Sequence, residues 1–187
     1  MKIFSLNTKF KKRSLSLIIL GALLIVGFLG IRALVQGSDS SSKEVVLRDA
    51  ISKKDINKDF SFAIKDDAGK EVTKLGYKIE NAELRDQILI KGKSASAVSG
   101  KKFLILNVKL NNTFNRSIEL TAKDYVRLTV NNNPELIAPD IHNDPVIIQP
   151  ISTQVTRIGF AIKDDDKVLV IKAGEINGPK TDIEIKF

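Results

Sequence analysis

The sequence has no cysteine, no tryptophan, one methionine and one histidine. The missing cysteine excludes disulfides, thiolate metal centres, a thiol nucleophile and the lipidated cysteine of a lipoprotein. Whatever folds here must be held by its core alone. The missing tryptophan removes the aromatic platform most useful for stacking on sugars. With His142 as the only histidine, a Ser-His-Asp triad would have to use it, and no G-x-S-x-G turn accompanies any serine. Beyond the first 35 residues, a long segment of 3.6-residue apolar period is also lacking.

Charge is present in excess but unevenly. The formal net charge is +8, from 30 Lys and Arg against 22 Asp and Glu. Lys2, Lys9, Lys11, Lys12, Arg13 and Arg32 lie before residue 38 with no acid among them, so the remainder sets 24 basic against 22 acidic side chains. A phosphate-tracking surface needs local basic excess. No nucleic-acid partner is expected.

The one long apolar run is Leu15 to Ile31, LSLIILGALLIVGFLGI. At ~1.5 Å per residue, Ser14 to Val35 is long enough to span a ~30 Å hydrocarbon layer, with Arg32 near the far end snorkelling to headgroups. Five positive charges precede it and one follows. That bias predicts a cytoplasmic N-terminus and an extracytoplasmic remainder, with the membrane itself as the first partner. A cleaved signal is the alternative, since Val35 and Gly37 form a passable cleavage site, and it would release the domain as a secreted protein. Gly21, Gly27 and Gly30 make no G-x-x-x-G dimer face.

The expected organisation is a basic flank over residues 1–13, a transmembrane helix over 14–35, a linker over 36–58 and a β domain over 59–187. The linker opens with GSDSSSK, which reads as flexible. It contains one undecided element: a short helix capped by Ser41 and Glu44, or a strand through Val45, Val46 and Leu47. Period-two alternation follows at Phe60-Phe62-Ile64, Tyr77-Ile79, Leu104-Leu106-Val108-Leu110 and Val126-Leu128-Val130. It continues at Ile158-Phe160-Ile162, Val168-Val170 and Ile183-Ile185-Phe187. Turn signals at Asp66 to Gly69, Asn111-Asn112, Asn131 to Pro134, Asp164 to Asp166 and Asn177-Gly178-Pro179 separate these runs. The pattern predicts an all-β, antiparallel sandwich. FAIKDD occurs at both Phe62–Asp67 and Phe160–Asp165, which two strands running into acidic tips explain without duplication.

Candidate chemistry is sparse. Asp140, His142 and Asp144 have D-x-H-x-D spacing, which in an extended segment presents one nitrogen and two oxygen donors to a divalent cation. Pro139 and Pro145 bracket them, so a structural loop is the stronger reading. Gly92-Lys93-Ser94 matches the end of a phosphate loop, but Gln87 stands where its first glycine belongs. The segment KGKSASAVSGKK is read as a flexible basic connector, with anionic headgroups or wall polymers as its conceivable contacts. Phe114 is expected to tuck against the sandwich. No catalytic residue and no cofactor are assigned.

The segment Gly100 to Asn112, GKKFLILNVKLNN, resembles the strand signature of a bacterial family of secreted immunoglobulin-like domains of unknown function, related to a secreted immunoprotective antigen. Pro150 through Arg157-Ile158-Gly159-Phe160 is similar to that family's proline-led turn and aromatic strand. Ile151 and Ser152 stand where the family's usual glycine follows the proline. The resemblance implies an immunoglobulin-like sandwich behind an export signal or anchor, and no catalytic residue. The expected function is that of a non-enzymatic interaction module for a protein or envelope polymer. A filament subunit is the structural alternative, although no glycine precedes the helix and no glutamate lies in its first turns. A metal-dependent enzyme on the 140–144 loop is the third.

Overall fold

The computed structural model describes residues 47–187. The apolar run, the polar linker start and most of the undecided element lie outside the described residues. Among those described, no helix is long and apolar enough to cross a membrane.

Twelve strands follow one another: β1 (Ser52–Lys65), β2 (Glu71–Arg85), β3 (Gln87–Ile90), β4 (Lys93–Ser96), β5 (Lys101–Asn112), β6 (Ile118–Leu120), β7 (Val126–Val130), β8 (Ile141–His142), β9 (Val146–Ile148), β10 (Ser152–Lys163), β11 (Leu169–Ala173) and β12 (Thr181–Ile185). A 3-10 turn, Ala122–Tyr125, precedes β7. One sheet has the order β1-β2-β5-β10-β8 and a second the order β12-β11-β7, with β3-β4 and β6-β9 as two-stranded pairs. All pairings are antiparallel.

One apolar cluster joins the layers. Leu75, Tyr77, Leu104, Leu106, Ile158 and Phe160 enter it from the larger sheet, and Val126, Leu128, Leu169, Ile171 and Ile185 from the smaller one. The β6-β9 pair adds Ile118, Leu120, Val146 and Ile148. Each side chain fully withdrawn from water contributes ~1.5–3 kcal/mol, which is how a chain without disulfides holds two sheets together.

Four expectations change. β1 begins at Ser52, inside the stretch read as linker, and pairs Ser52 with Leu84. Its first half is polar because it is an edge strand with only Ile56 reaching the core, and Asn57 at φ 51° forms a bulge there. In β11 the core residues are Leu169, Ile171 and Ala173 rather than Val168 and Val170. The run Val168-Leu169-Val170-Ile171 is apolar in both phases, so alternation could not choose one. Asn112 is the last residue of β5 rather than a turn, and it is buried. Its Nδ2 donates to the carbonyls of Arg116, Ile148 and Gln149, and its Oδ1 accepts from Phe114 N–H. The connector read as flexible supplies the turn and second strand of the β3-β4 hairpin, turned by Lys91 and Gly92 at φ 48° and 76°. Two successive positive φ values suit the right-handed twist of paired strands.

Candidate functional site

The 140–144 loop does not gather its three candidate ligands. Asp144 turns its carboxylate to the start of the 3-10 turn, accepting from Ala122 N–H at 2.7 Å and Lys123 N–H at 3.0 Å. His142 has the Lys123 ammonium 3.1 Å from Nε2 and Asp144 N–H 3.3 Å from Nδ1. Asp140 is exposed, and its N–H donates to the Gly159 carbonyl. A cation would have to displace a lysine and strip two backbone donors of their acceptor. Among the described residues no group of three or more His, Asp and Glu is arranged to hold a metal. His142 and Asp144 therefore fit a loop staple with the exposed Asp140 carboxylate outside it, and no metal step is derived from the three.

Below this loop lies Tyr77, whose hydroxyl donates to the Ala122 carbonyl at 3.1 Å. Burial, then the nearby Asp144 carboxylate, pushes its ionisation far above the ordinary phenol range. Burial also raises Tyr125, with Glu175 and Asp124 adding to it. Phe62 and Tyr125 pack at 4.4 Å between ring centroids, closing the core at this end. Tyr77 is a buried structural donor, and Tyr125 contributes its ring.

The larger sheet has a second, outward face, built by the alternate residues of β1, β2, β5 and β10. One half of it is roofed. Ile105 and Ile88 are buried although neither belongs to the main core, and with Ile141 they enclose a void of only about 20 Å³. A Cβ on Gly159 would stand 2.5 Å from Ile105 Cδ1 and 3.1 Å from Ile141 Cβ, so glycine allows that close approach without Ile105 and Ile141 giving way. Beside this patch, Asn107 Nδ2 donates to Asn81 Oδ1 at 2.7 Å and to Glu83 Oε1 at 3.1 Å. Glu83 Oε2 meets Arg85 Nε at 2.6 Å, and Arg85 in turn donates to the Arg48 carbonyl. Each of these four half-buried polar side chains has a partner.

The other half is open. The register places Lys78 directly beside Lys109, with Asp59 on the far side of Lys78 and Val155 beyond Lys109. The neighbouring row runs Ser61, Gly76, Asn111, Thr153. Because Gly76 has no side chain, a groove of about 390 Å³ forms there, lined by Asp59, Gly76, Lys78, Lys109, Asn111 and Thr153 among others. Thr153 Oγ1 lies 3.2 Å from Asn111 Oδ1 and donates to it, leaving the Asn111 amide donors over Gly76. Among the described residues neither lysine has a carboxylate within ion-pairing distance. Like charges directly opposed across strands destabilise a sheet. No pattern in the sequence marks this pair, since β2 and β5 are brought together only by pairing.

Two tips complete the surface. Ile151, 71% exposed, follows Pro150 with φ 47°, a conformation that β-branched residues rarely adopt. Its N–H donates to the Phe114 carbonyl, and Ser152 Oγ closes the turn onto the Gln149 carbonyl. Phe114 packs against the core as expected. Near Gly174 to Ile176, the Lys180 ammonium reaches the carbonyls of Gly174, Glu175 and Ile176. Burial and then Arg127 lower its pKa, against the opposing pull of Glu175.

Two antiparallel sheets over one shared core make this an all-β protein of the β-sandwich class. No protein-family model and no curated protein matches the chain. Three solved structures are similar. A conserved hypothetical protein from Bacillus anthracis has 15% identity, covers 73% of this chain and 99% of its own, and has a TM-score of 0.48. An uncharacterised β-sandwich protein from Clostridium difficile has 18% identity, covers 74% and 99%, and has a TM-score of 0.47. A functionally unknown protein from Listeria monocytogenes has 13% identity, covers 81% and 94%, and has a TM-score of 0.44. None of the three bears on chemistry or partner.

Proposed function

We propose that this chain is a single-pass, membrane-anchored, extracytoplasmic interaction module whose sandwich is immunoglobulin-like and non-enzymatic. The carrying observation is the uneven outward face of the larger sheet: one half covered by the chain's own hairpin, the other left open over a groove with two opposed lysines that form no ion pair among the described residues. A surface kept uncovered at a cost in repulsion is a surface available to a partner. Orientation is supported by the five positive charges before Leu15. The immunoglobulin-like assignment is supported by the turn after Pro150, where Ile151 adopts the left-handed conformation that the family's glycine would supply.

The absence of native cysteine makes a direct test clean. Single cysteines are introduced by Ser5→Cys and Ser99→Cys, and intact cells are treated with a membrane-impermeant maleimide. Labelling at position 99 and protection at position 5 is the expected outcome. The reverse pattern, or protection at both positions in intact cells with labelling after lysis, overturns the reading.

A further inference from the structure

We propose that the open half of the larger sheet binds a linear, phosphodiester-linked polyol chain, with Lys78 and Lys109 holding its phosphates and Asn111 and Thr153 its hydroxyls. This deepens the interaction-module reading and rests on it.

Cations stand on three successive strands of the outward face: Lys78 on β2 and Lys109 on β5 directly opposite each other, and Arg157 on β10 one row further toward the roofed half, opposite Asn107. Adjacent strands are ~4.8 Å apart, so the charges form a path rather than a single point, which suits an anion repeated along a polymer. Lysine ammoniums meet phosphate as point charges, without the planar fork that arginine uses for a fixed bidentate geometry. A partner that slides in register therefore suits the lysines better than a single rigid carboxylate.

Hydroxyl recognition is present in the next row. The Asn111 amide donors are turned over Gly76, and the Asp59 carboxylate on the far rim is an acceptor. The depression at Gly76 lets a polymer backbone come close: a Cβ there would lie 3.2 Å from Asn111 Cβ and fill the floor. Phe60 and Tyr77 also border the groove, but both rings pack into the core, Tyr77 being 1% exposed. A nucleic acid would find no ring to stack on, and stacking supplies much of single-strand binding. A polyol phosphate needs none.

The test uses the full chain in neutral-detergent micelles, titrated with a synthetic glycerol-phosphate oligomer. The double variant K78A/K109A is compared with K91A/K93A, which removes equal charge from the β3-β4 turn, and with N111A, which removes no charge. Binding is expected to fall about tenfold or more in K78A/K109A, severalfold in N111A, and less than about twofold in K91A/K93A, because hydrogen bonds to charged groups are the stronger ones. Unchanged thermal midpoints verify that the variants are folded. Equal losses in the two double variants would reduce the effect to diffuse charge and overturn the site. So would no binding by the parent chain, or an equally Lys78- and Lys109-dependent affinity for phosphatidylglycerol vesicles, which would make the occupant a headgroup surface. Maleimide labelling at position 99 does not depend on the oligomer. A silent groove with correct labelling therefore defeats this proposal and leaves the tethered module standing.

Discussion

Two halves of one sheet face, made by the same four strands, are treated in opposite ways. Around Ile105 the outward side chains are apolar or mutually hydrogen-bonded apart from Arg157 at the margin, and the β3-β4 hairpin and Ile141 cover them. Around Gly76 the side chains are charged or hydroxylic, two lysines face each other, and no segment of the described chain lies over them. The contrast separates what a sandwich needs in order to fold from what it carries beyond that need. Burying Ile105 and Ile88 repays the cost of ordering the hairpin. Opposing Lys78 to Lys109 repays nothing in the isolated fold.

The largest effect that can break this contrast is Ile105→Ala. Removing a side chain that is 2% exposed under a closed roof should cost about 3 kcal/mol, read as a fall in the urea midpoint of the full chain by circular dichroism. Lys109→Ala in the open half should leave that midpoint unchanged or raise it slightly. A comparable loss from both would mean that the halves do not differ.

The two glycines sharpen the contrast on a smaller scale. Gly159→Ala forces a Cβ against Ile105 and Ile141 in the roofed half and should destabilise by about 2 kcal/mol. Gly76→Ala meets Asn111 Cβ at 3.2 Å, a tight contact on the exposed face that a shift of a few tenths of an ångström relieves, so its cost should stay below about 1 kcal/mol. Thermal midpoints measured side by side decide the order.

Tyr77 lies on the core side beneath the groove and should cost about 1 kcal/mol as Tyr77→Phe, through the unpaired Ala122 carbonyl. Its raised ionisation also sets a pH dependence. The folded state holds the phenol proton more tightly than the unfolded state, so stability is intact below about pH 10, the ordinary phenol value, and falls as pH rises beyond it. Tyr77→Phe should flatten that alkaline slope, seen as a smaller drop in midpoint on going above pH 10. The smallest effect should be a gain. Ile151→Gly relieves a left-handed β-branched residue but adds unfolded-state freedom, leaving a net stabilisation of about 0.5 kcal/mol. A loss of stability would show that Ile151 packs in a way its exposure conceals.

Much of the fold was readable before any coordinates. Leu104, Leu106, Val108 and Leu110 recur at period two, and all four are buried. The turn at Asp66 to Gly69 was also readable: Asp66 Oδ1 accepts from Ala68 and Lys70 N–H, with Gly69 at φ 79°. The β3-β4 hairpin was hidden because Lys91-Gly92 lacks the usual Asn-Gly signature and its second strand is small and polar. His142 and its two aspartates drew attention for their spacing. Spacing cannot show that Asp144 is spent on two backbone donors from a turn some twenty residues earlier.

By itself, the sequence determined the antiparallel all-β class, most of the inward faces and the concentration of charge before residue 38, because alternation and composition are local properties that survive any arrangement of strands. The phase of β11, the burial of Asn112, the roof over Ile105 and the meeting of Lys78 with Lys109 were decided only by tertiary structure. Each depends on which strand lies beside which, and at what register. Strand pairing joins residues far apart in the chain, and no local pattern records it.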